Sequence, residues 1–135
     1  MILGLSHQSA PLELLEKSTI PSEALPKKLT DLSQRDHISE AVVISTCNRT
    51  EIYVVAEKFH AAYAEVRDFL ADSALVAPED IADHLYVHHD EEAVKHLFSV
   101  ASGLDSAVLG ESEIQGQVKT AWETSRIEKS SGPVL

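Results

Sequence analysis

The chain has 135 residues, enough for one compact domain that buries about two-thirds of its unfolded surface without needing a disulfide or a metal. Its 22 acidic and 11 basic residues give a formal charge of -11, which argues against a broad phosphate-gripping surface and favours solubility. The single cysteine excludes an intramolecular disulfide, and no run approaches the roughly 18 apolar residues of a membrane helix.

The N-terminus, M-I-L-G-L-S-H, has no basic segment and only a short apolar run, so it is not a secretory signal. With the lone cysteine, this leads to the expectation of a cytoplasmic protein without a membrane anchor. Residues 1–6 read as a short strand. Residues 11–17 read as a short helix that starts at a proline. Ser22 is placed to cap the next helix, with Leu25, Leu29 and Leu32 on one face and Pro26 tolerated in its first turn. Residues 41–45 and 51–56 are rich in β-branched side chains, and their short link predicts a hairpin.

Residues 59–73 place Phe59, Tyr63, Val66 and Leu70 at helical spacing. Residues 78–83 read as one helical turn, and 85–88 as a strand. Asp90 is expected to cap a helix that turns Val94, Leu97, Phe98 and Ala101 inward and ends at Gly103. After a loop over 105–110, Ser112 is expected to cap a last helix reaching about residue 128, with Ile114, Val118 and Trp122 on or near one stripe. The order βα(α)ββαβα(α) predicts an α+β fold. It is the ferredoxin-like, split β-α-β pattern: an antiparallel sheet covered by helices, with extra helices at the C-terminal end. The final Val134 and Leu135, after a Gly-Pro turn, read as the start of another element. The chain is therefore expected to be the N-terminal part of a longer protein.

The chemistry candidates begin with Cys47, at the polar end of the first hairpin strand. Most free cysteines are small packing residues. Here Thr46, Asn48 and Thr50 surround it with hydrogen-bonding groups, and Arg49 is two residues away. A nearby cation stabilises a thiolate, the reactive form. Packing residue and nucleophile are both open on these residues alone. Asn48-Arg49-Thr50 fits a glycosylation pattern that has no meaning without a secretory signal.

His84, His88 and His89, with Asp83 and Asp90, match no metal-ligand spacing and read as solvated polar residues. His96 sits mid-helix, four residues after Glu92, so an ordinary i,i+4 pair is one reading. A proton donor or orienting group near a reaction centre is the other. Residues 101–119 offer Ser106, Glu111, Ser112, Glu113 and Gln117 around a helix entry. That is either capping chemistry or a small polar pocket for a substrate with an amine and a carboxylate. No glycine-rich nucleotide loop occurs anywhere in the chain.

Three stretches together carry a resemblance: G-L-S-H-Q-S-A-P-L-E-L-L-E-K near the start, S-T-C-N-R-T-E-I-Y over 45–53, and H-L-F-S-V-A-S-G-L-D-S-A-V-L-G-E-S-E-I-Q-G-Q-V-K over 96–119. The sequence closely resembles the N-terminal catalytic domain of glutamyl-tRNA reductase, over nearly its whole length. The resemblance implies an NADPH-dependent oxidoreductase that reduces the glutamate of glutamyl-tRNA to glutamate-1-semialdehyde. That is the first committed step of the five-carbon route to 5-aminolevulinate, porphyrins and other tetrapyrroles. It implies Cys47 as the nucleophile that forms a thioester intermediate and His96 as a residue needed for activity. It implies that Thr46, Asn48, Arg49, Ser106, Glu111, Ser112, Glu113 and Gln117 line the glutamate pocket.

One departure is local: Glu113 stands where the family often has glutamine, and Gln115 where it often has leucine. The other is length, because the NADPH-binding and dimerisation domains of the family are absent from 1–135. The cofactor would thus be bound outside this chain, and the fragment alone would be limited to thioester formation or ester hydrolysis. For the full-length enzyme the resemblance implies a homodimer and hand-over of product to glutamate-1-semialdehyde aminomutase. The competing readings are a non-catalytic ferredoxin-like regulatory or interaction domain, in which Cys47 is packed, and a cysteine esterase that uses His96 as its base.

Overall fold

In the computed structural model, residues 1–101 and 113–127 are described. Four strands, β1 (Ile2–Ser6), β2 (Glu40–Ser45), β3 (Arg49–Val55) and β4 (Tyr86–His88), form one sheet in the order β2-β3-β1-β4. Every pairing is antiparallel. β3 lies between β1 and β2, and β1 lies between β3 and β4. Each helical connection therefore skips over one strand, which is the expected split β-α-β arrangement. The helices among the described residues are α1 (Leu12–Ser18), α2 (Leu25–Ser33), α3 (Phe59–Ala74), α4 (Pro78–Ala82), α5 (Glu91–Ala101) and α6 (Glu113–Ile127). None is long and apolar enough to cross a membrane.

Side chains alternate across a strand with period two, and here both faces are covered. On the first face Leu3, Val43, Ile52 and Val54 pack against Leu29 and Leu32 of α2 and Val66, Phe69 and Leu70 of α3. On the second face Ile2, Val42, Ile44 and Tyr53 meet Ala93 and Leu97 of α5 and Val118 and Ala121 of α6. The extra C-terminal helices thus cover the face that a plain split β-α-β sheet would leave open. This is why β2 and β3 are buried along nearly their whole length on both faces, and why residues 41–44 and 52–55 read as continuous apolar runs.

Two helices are turned differently from expectation. In α5, Val94 and Phe98 are exposed, at 54% and 69%. Ala93, Leu97 and Val100 face inward instead. Adjacent helical positions differ by about 100°, so the inward stripe is shifted by one residue, and the shift carries His96 toward the sheet. In α6 the inward residues are Val118, Ala121 and Ser125. Trp122 is half exposed under the Arg126 guanidinium, 5.0 Å from its ring centre.

The expected caps also differ. α2 starts at Leu25 after a turn, with Ala24 rather than Ser22 as its N-cap, and the Ser22 hydroxyl points to Glu23. Pro26 falls in the first turn as expected. Asp90 precedes α5 with φ 54, and its carbonyl accepts from Ala93 and Val94 N–H. Its carboxylate turns away to His89, 3.4 Å from Nδ1. The expected stop at Gly103, the 105–110 loop and the Ser112 cap lie outside the described residues.

Candidate active site

β2 and β3 join through Thr46, Cys47 and Asn48, with Cys47-Asn48 at the turn. Thr46 N–H donates to the Arg49 carbonyl at 2.8 Å and closes the hairpin. Neither turn residue has positive φ, so this is not one of the mirror-image turns that suit hairpin twist best. Side chains and a neighbouring strand hold it instead. Asn48 N–H donates to Thr46 Oγ1 at 3.1 Å, and His7 N–H, just beyond β1, donates to the Asn48 carbonyl at 2.9 Å.

The base of the hairpin is pinned from the first face. Ser45 Oγ accepts from Ile20 N–H and pairs with Thr50 Oγ1, which donates to the Ser18 carbonyl. At the tip, Cys47 is exposed. A packed cysteine, as the regulatory-domain reading requires, is not what the fold provides. Among the described residues no side chain hydrogen-bonds its sulfur.

Below the tip, Arg49, Glu51 and Tyr53 point to the second face, two residues apart along β3. Glu51 and Arg49 are buried, with side chains 0% and 1% exposed. Four groups converge on the Glu51 carboxylate. Tyr53 and Tyr86 hydroxyls donate at 3.0 and 2.6 Å, His96 Nε2 hydrogen-bonds to it, and Arg49 Nη1 lies at 3.5 Å. Burial pushes the Glu51 carboxyl up, but the His96 hydrogen bond and charge, Tyr86 and Arg49 outweigh it and hold it below its ordinary value. Burial, and then the Glu51 charge, raise the Tyr53 phenol, so it remains a donor.

Gly4 makes room for this cluster. In the sheet it is paired with Glu51 on one side and Tyr86 on the other. A Cβ at Gly4 would sit 2.7 Å from the Thr50 carbonyl and 2.9 Å from Glu51 Cγ. With no side chain there, the Tyr86 hydroxyl reaches across β1 to the carboxylate.

The expected site residues divide as follows. His96 does not pair with Glu92, which is exposed; it reaches Glu51 across the layer. Thr46 and Gln117 line one cleft of about 450 Å³ around the β2 edge, with Ser22 and Thr120 also on its wall. Arg49 turns to Glu51 on the sheet face. Glu113 opens α6, while Ser106, Glu111 and Ser112 lie outside the described residues.

The histidines at 84 and 88 are half-buried rather than solvated. His84 Nδ1 is 3.3 Å from the Ser9 carbonyl, and His88 stacks on His96. His89 is exposed beyond the end of β4. No cluster of metal-ligating side chains occurs among the described residues. The residue that sequence reasoning missed is Glu51, with Tyr86 and Gly4 around it. The available signal was an acid inside a strand, followed directly by the apolar run Ile52-Tyr53-Val54-Val55.

Fold and site together define a ferredoxin-like domain that carries an exposed hairpin thiol above a buried acid–histidine pair. The sequence model for the family "Glutamyl-tRNAGlu reductase, N-terminal domain" matches residues 3–135. A glutamyl-tRNA reductase of Frankia casuarinae is 47% identical over 135 residues, covering 100% of this chain and 28% of that protein. One of Stenotrophomonas maltophilia is 51% identical over 126 residues, covering 93% of this chain and 27% of that protein. The solved structure of glutamyl-tRNA reductase from Methanopyrus kandleri aligns with a TM-score of 0.73 at 30% identity, over 97% of this chain and 29% of that one. The chain belongs to the glutamyl-tRNA reductase N-terminal domain family, and it spans less than a third of the length of these relatives.

Proposed function

We propose that this chain is the acyl-accepting catalytic domain of a glutamyl-tRNA reductase. The Cys47 thiolate attacks the ester carbonyl that joins glutamate to its tRNA. A carbon–sulfur bond forms, the carbon–oxygen bond to the ribose breaks, and the departing oxygen takes a proton. The product is a thioester on Cys47. A thioester is less resonance-stabilised than an ester and accepts hydride more readily, so covalent catalysis splits one hard step into two.

His96 is the proton carrier in this reading. The ionised Glu51 takes up Nε2 in its hydrogen bond, which leaves Nδ1 as the nitrogen able to exchange a proton with a bound group. Glu51 is four residues along the chain from Cys47, which sits in the hairpin link outside β3, and among the described residues His96 is hydrogen-bonded to Glu51 and not to the Cys47 sulfur. His96 therefore serves the substrate rather than the thiol directly, which disfavours the cysteine-esterase reading. Arg49 lies between the two along the strand, its guanidinium buried beside Glu51, and on this reading Thr46, Asn48 and Gln117 form the hairpin and cleft side of the glutamyl pocket. The pocket residues Ser106 and 111–113 would complete the wall.

Reduction to glutamate-1-semialdehyde, the entry to tetrapyrrole biosynthesis, needs NADPH. The chain has no glycine-rich dinucleotide loop, and the described sheet is wholly antiparallel, without the parallel βαβ unit such cofactors use. These residues do not fit the cofactor, which on this reading binds to other domains of a longer protein. That protein would be a cytoplasmic homodimer that passes its product to an aminomutase. The observation that carries the proposal is the exposed thiol at the end of the strand whose face holds Arg49 and the Glu51–His96 pair. The test is to incubate the chain with glutamyl-tRNA, quench in acid and map the peptides. A glutamyl adduct on Cys47 that is absent from Cys47→Ser is expected. Intact ester and no adduct would overturn the reading.

A further inference from the structure

We propose that His88 is a positioning residue for His96. This inference rests on the reading of His96 as the proton carrier. β4 is a three-residue strand at the edge of the sheet, paired among the described residues with β1 alone. It sends two side chains to the second face, Tyr86 and His88, and both go to the same pair. Tyr86 donates to Glu51, and the His88 ring lies on the His96 ring with centroids 4.5 Å apart and planes at 25°. Tyr86 flanks both rings, at 5.4 Å from His96 and 5.6 Å from His88.

The need for such a contact follows from the geometry. One hydrogen bond, Nε2 to Glu51, fixes one point of the imidazole. The ring is tethered at Cγ as well, which leaves it able to rock about the line from Cγ to Nε2, and Nδ1 would swing with it. A flat partner stacked on the ring face removes that freedom, because aromatic pairs favour offset-stacked arrangements over loose contact. Proton transfer depends on the donor nitrogen being held in line with its target. A residue that only filled space beside Ile2, its partner across the sheet, would not need to be flat or parallel to His96. His88 thus acts through His96 and does not touch the reacting atoms.

The test uses the single-turnover rate of Cys47 adduct formation from saturating glutamyl-tRNA in three chains: wild type, His88→Phe, which keeps a flat ring, and His88→Leu, which keeps bulk alone. The expected result is a rate within about threefold of wild type for His88→Phe and a drop of about tenfold for His88→Leu, since a misplaced acid or base forfeits part of its 10²–10⁴-fold effect. The half-saturating substrate concentration should stay unchanged. In parallel, the His96 Nε2–H proton resonance should be retained in His88→Phe and shifted or broadened in His88→Leu. Equal rates in all three chains, or equal loss in both variants with an unmoved His96 resonance, would overturn the role of His88. If wild type forms no adduct at all, the proposed function fails instead, and the resonance comparison alone decides whether His88 positions His96.

Discussion

The two faces of the sheet use the same strands for different ends. On the first face β2 and β3 contribute Ala41, Val43, Ile52 and Val54, a dry layer against α2 and α3. On the second, one residue along in each strand, β3 contributes Arg49, Glu51 and Tyr53 beside Ile44 and Val42, and β4 adds Tyr86 and His88. Burial is equally complete on both: Ile52 and Glu51 are each 0% exposed. The difference lies in what burial does. Apolar side chains gain from it without condition. A buried carboxylate is tolerated only when its hydrogen bonds are made, and Glu51 has two phenols and an imidazole to make them, with the Arg49 guanidinium beside it as counter-charge. A fold that needed only a second apolar layer would not assemble such a set, so the second face reads as the working one.

That contrast can be broken in graded ways. The largest effect belongs to the thiol: Cys47→Ser should abolish the acid-stable adduct. Because the side chain is exposed, unfolding free energy should stay within about 0.5 kcal/mol of wild type by denaturant titration. Phe69→Ala, on the dry face, should do the reverse. It should lose about 3–5 kcal/mol of stability, while the adduct rate per folded molecule is unchanged.

Acid sharpens the comparison further. The folded Glu51 carboxyl lies below its ordinary 4.5. Its stabilising contribution is therefore full above about that pH and is lost as pH falls through the folded value. Denaturation profiles over about pH 3–6 should show this loss in wild type and lack it in Glu51→Gln. The smallest effect is far from both faces. Leu75 ends α3 with φ 58 and is 91% exposed. Leu75→Gly should stabilise by about 0.5–1 kcal/mol, by relieving the left-handed conformation, with no change in adduct rate.

Much of the fold was legible because strand and helix patterns carry it. The strand order, the hairpin and the Leu25-Leu29-Leu32 stripe all follow from periodicity that packing then respects, although the second hairpin strand starts at Arg49 and not at residue 51. What periodicity could not supply was the partner of a polar residue. Spacing alone favours pairing His96 with Glu92, four positions back on its own helix. Only the sheet reveals Glu51, 45 residues away in sequence. The same pairing explains the α5 error, because a stripe chosen by hydropathy alone prefers Val94 and Phe98. Satisfying the Glu51 carboxylate rotates the helix so that His96 faces in.

Cys47 was undecided on its neighbours, and its exposure at the hairpin tip is a tertiary fact. Gly4 gave no sign of its role, since the close approach of Glu51 Cγ exists only across the β1–β3 ladder.

The central claim is that the buried polar cluster serves the reaction and not merely the fold. It is tested most directly by the single-turnover rate of Cys47 adduct formation in Glu51→Gln, measured on protein shown to be folded. Gln keeps the shape and loses the charge. Stability should drop by about 2–3 kcal/mol as charge-assisted hydrogen bonds are lost. The adduct rate should fall by roughly 10²-fold as His96 loses the carboxylate that sets its tautomer, with thiol alkylation by iodoacetamide unaltered. A folded Glu51→Gln chain that acylates Cys47 at the wild-type rate would contradict the account.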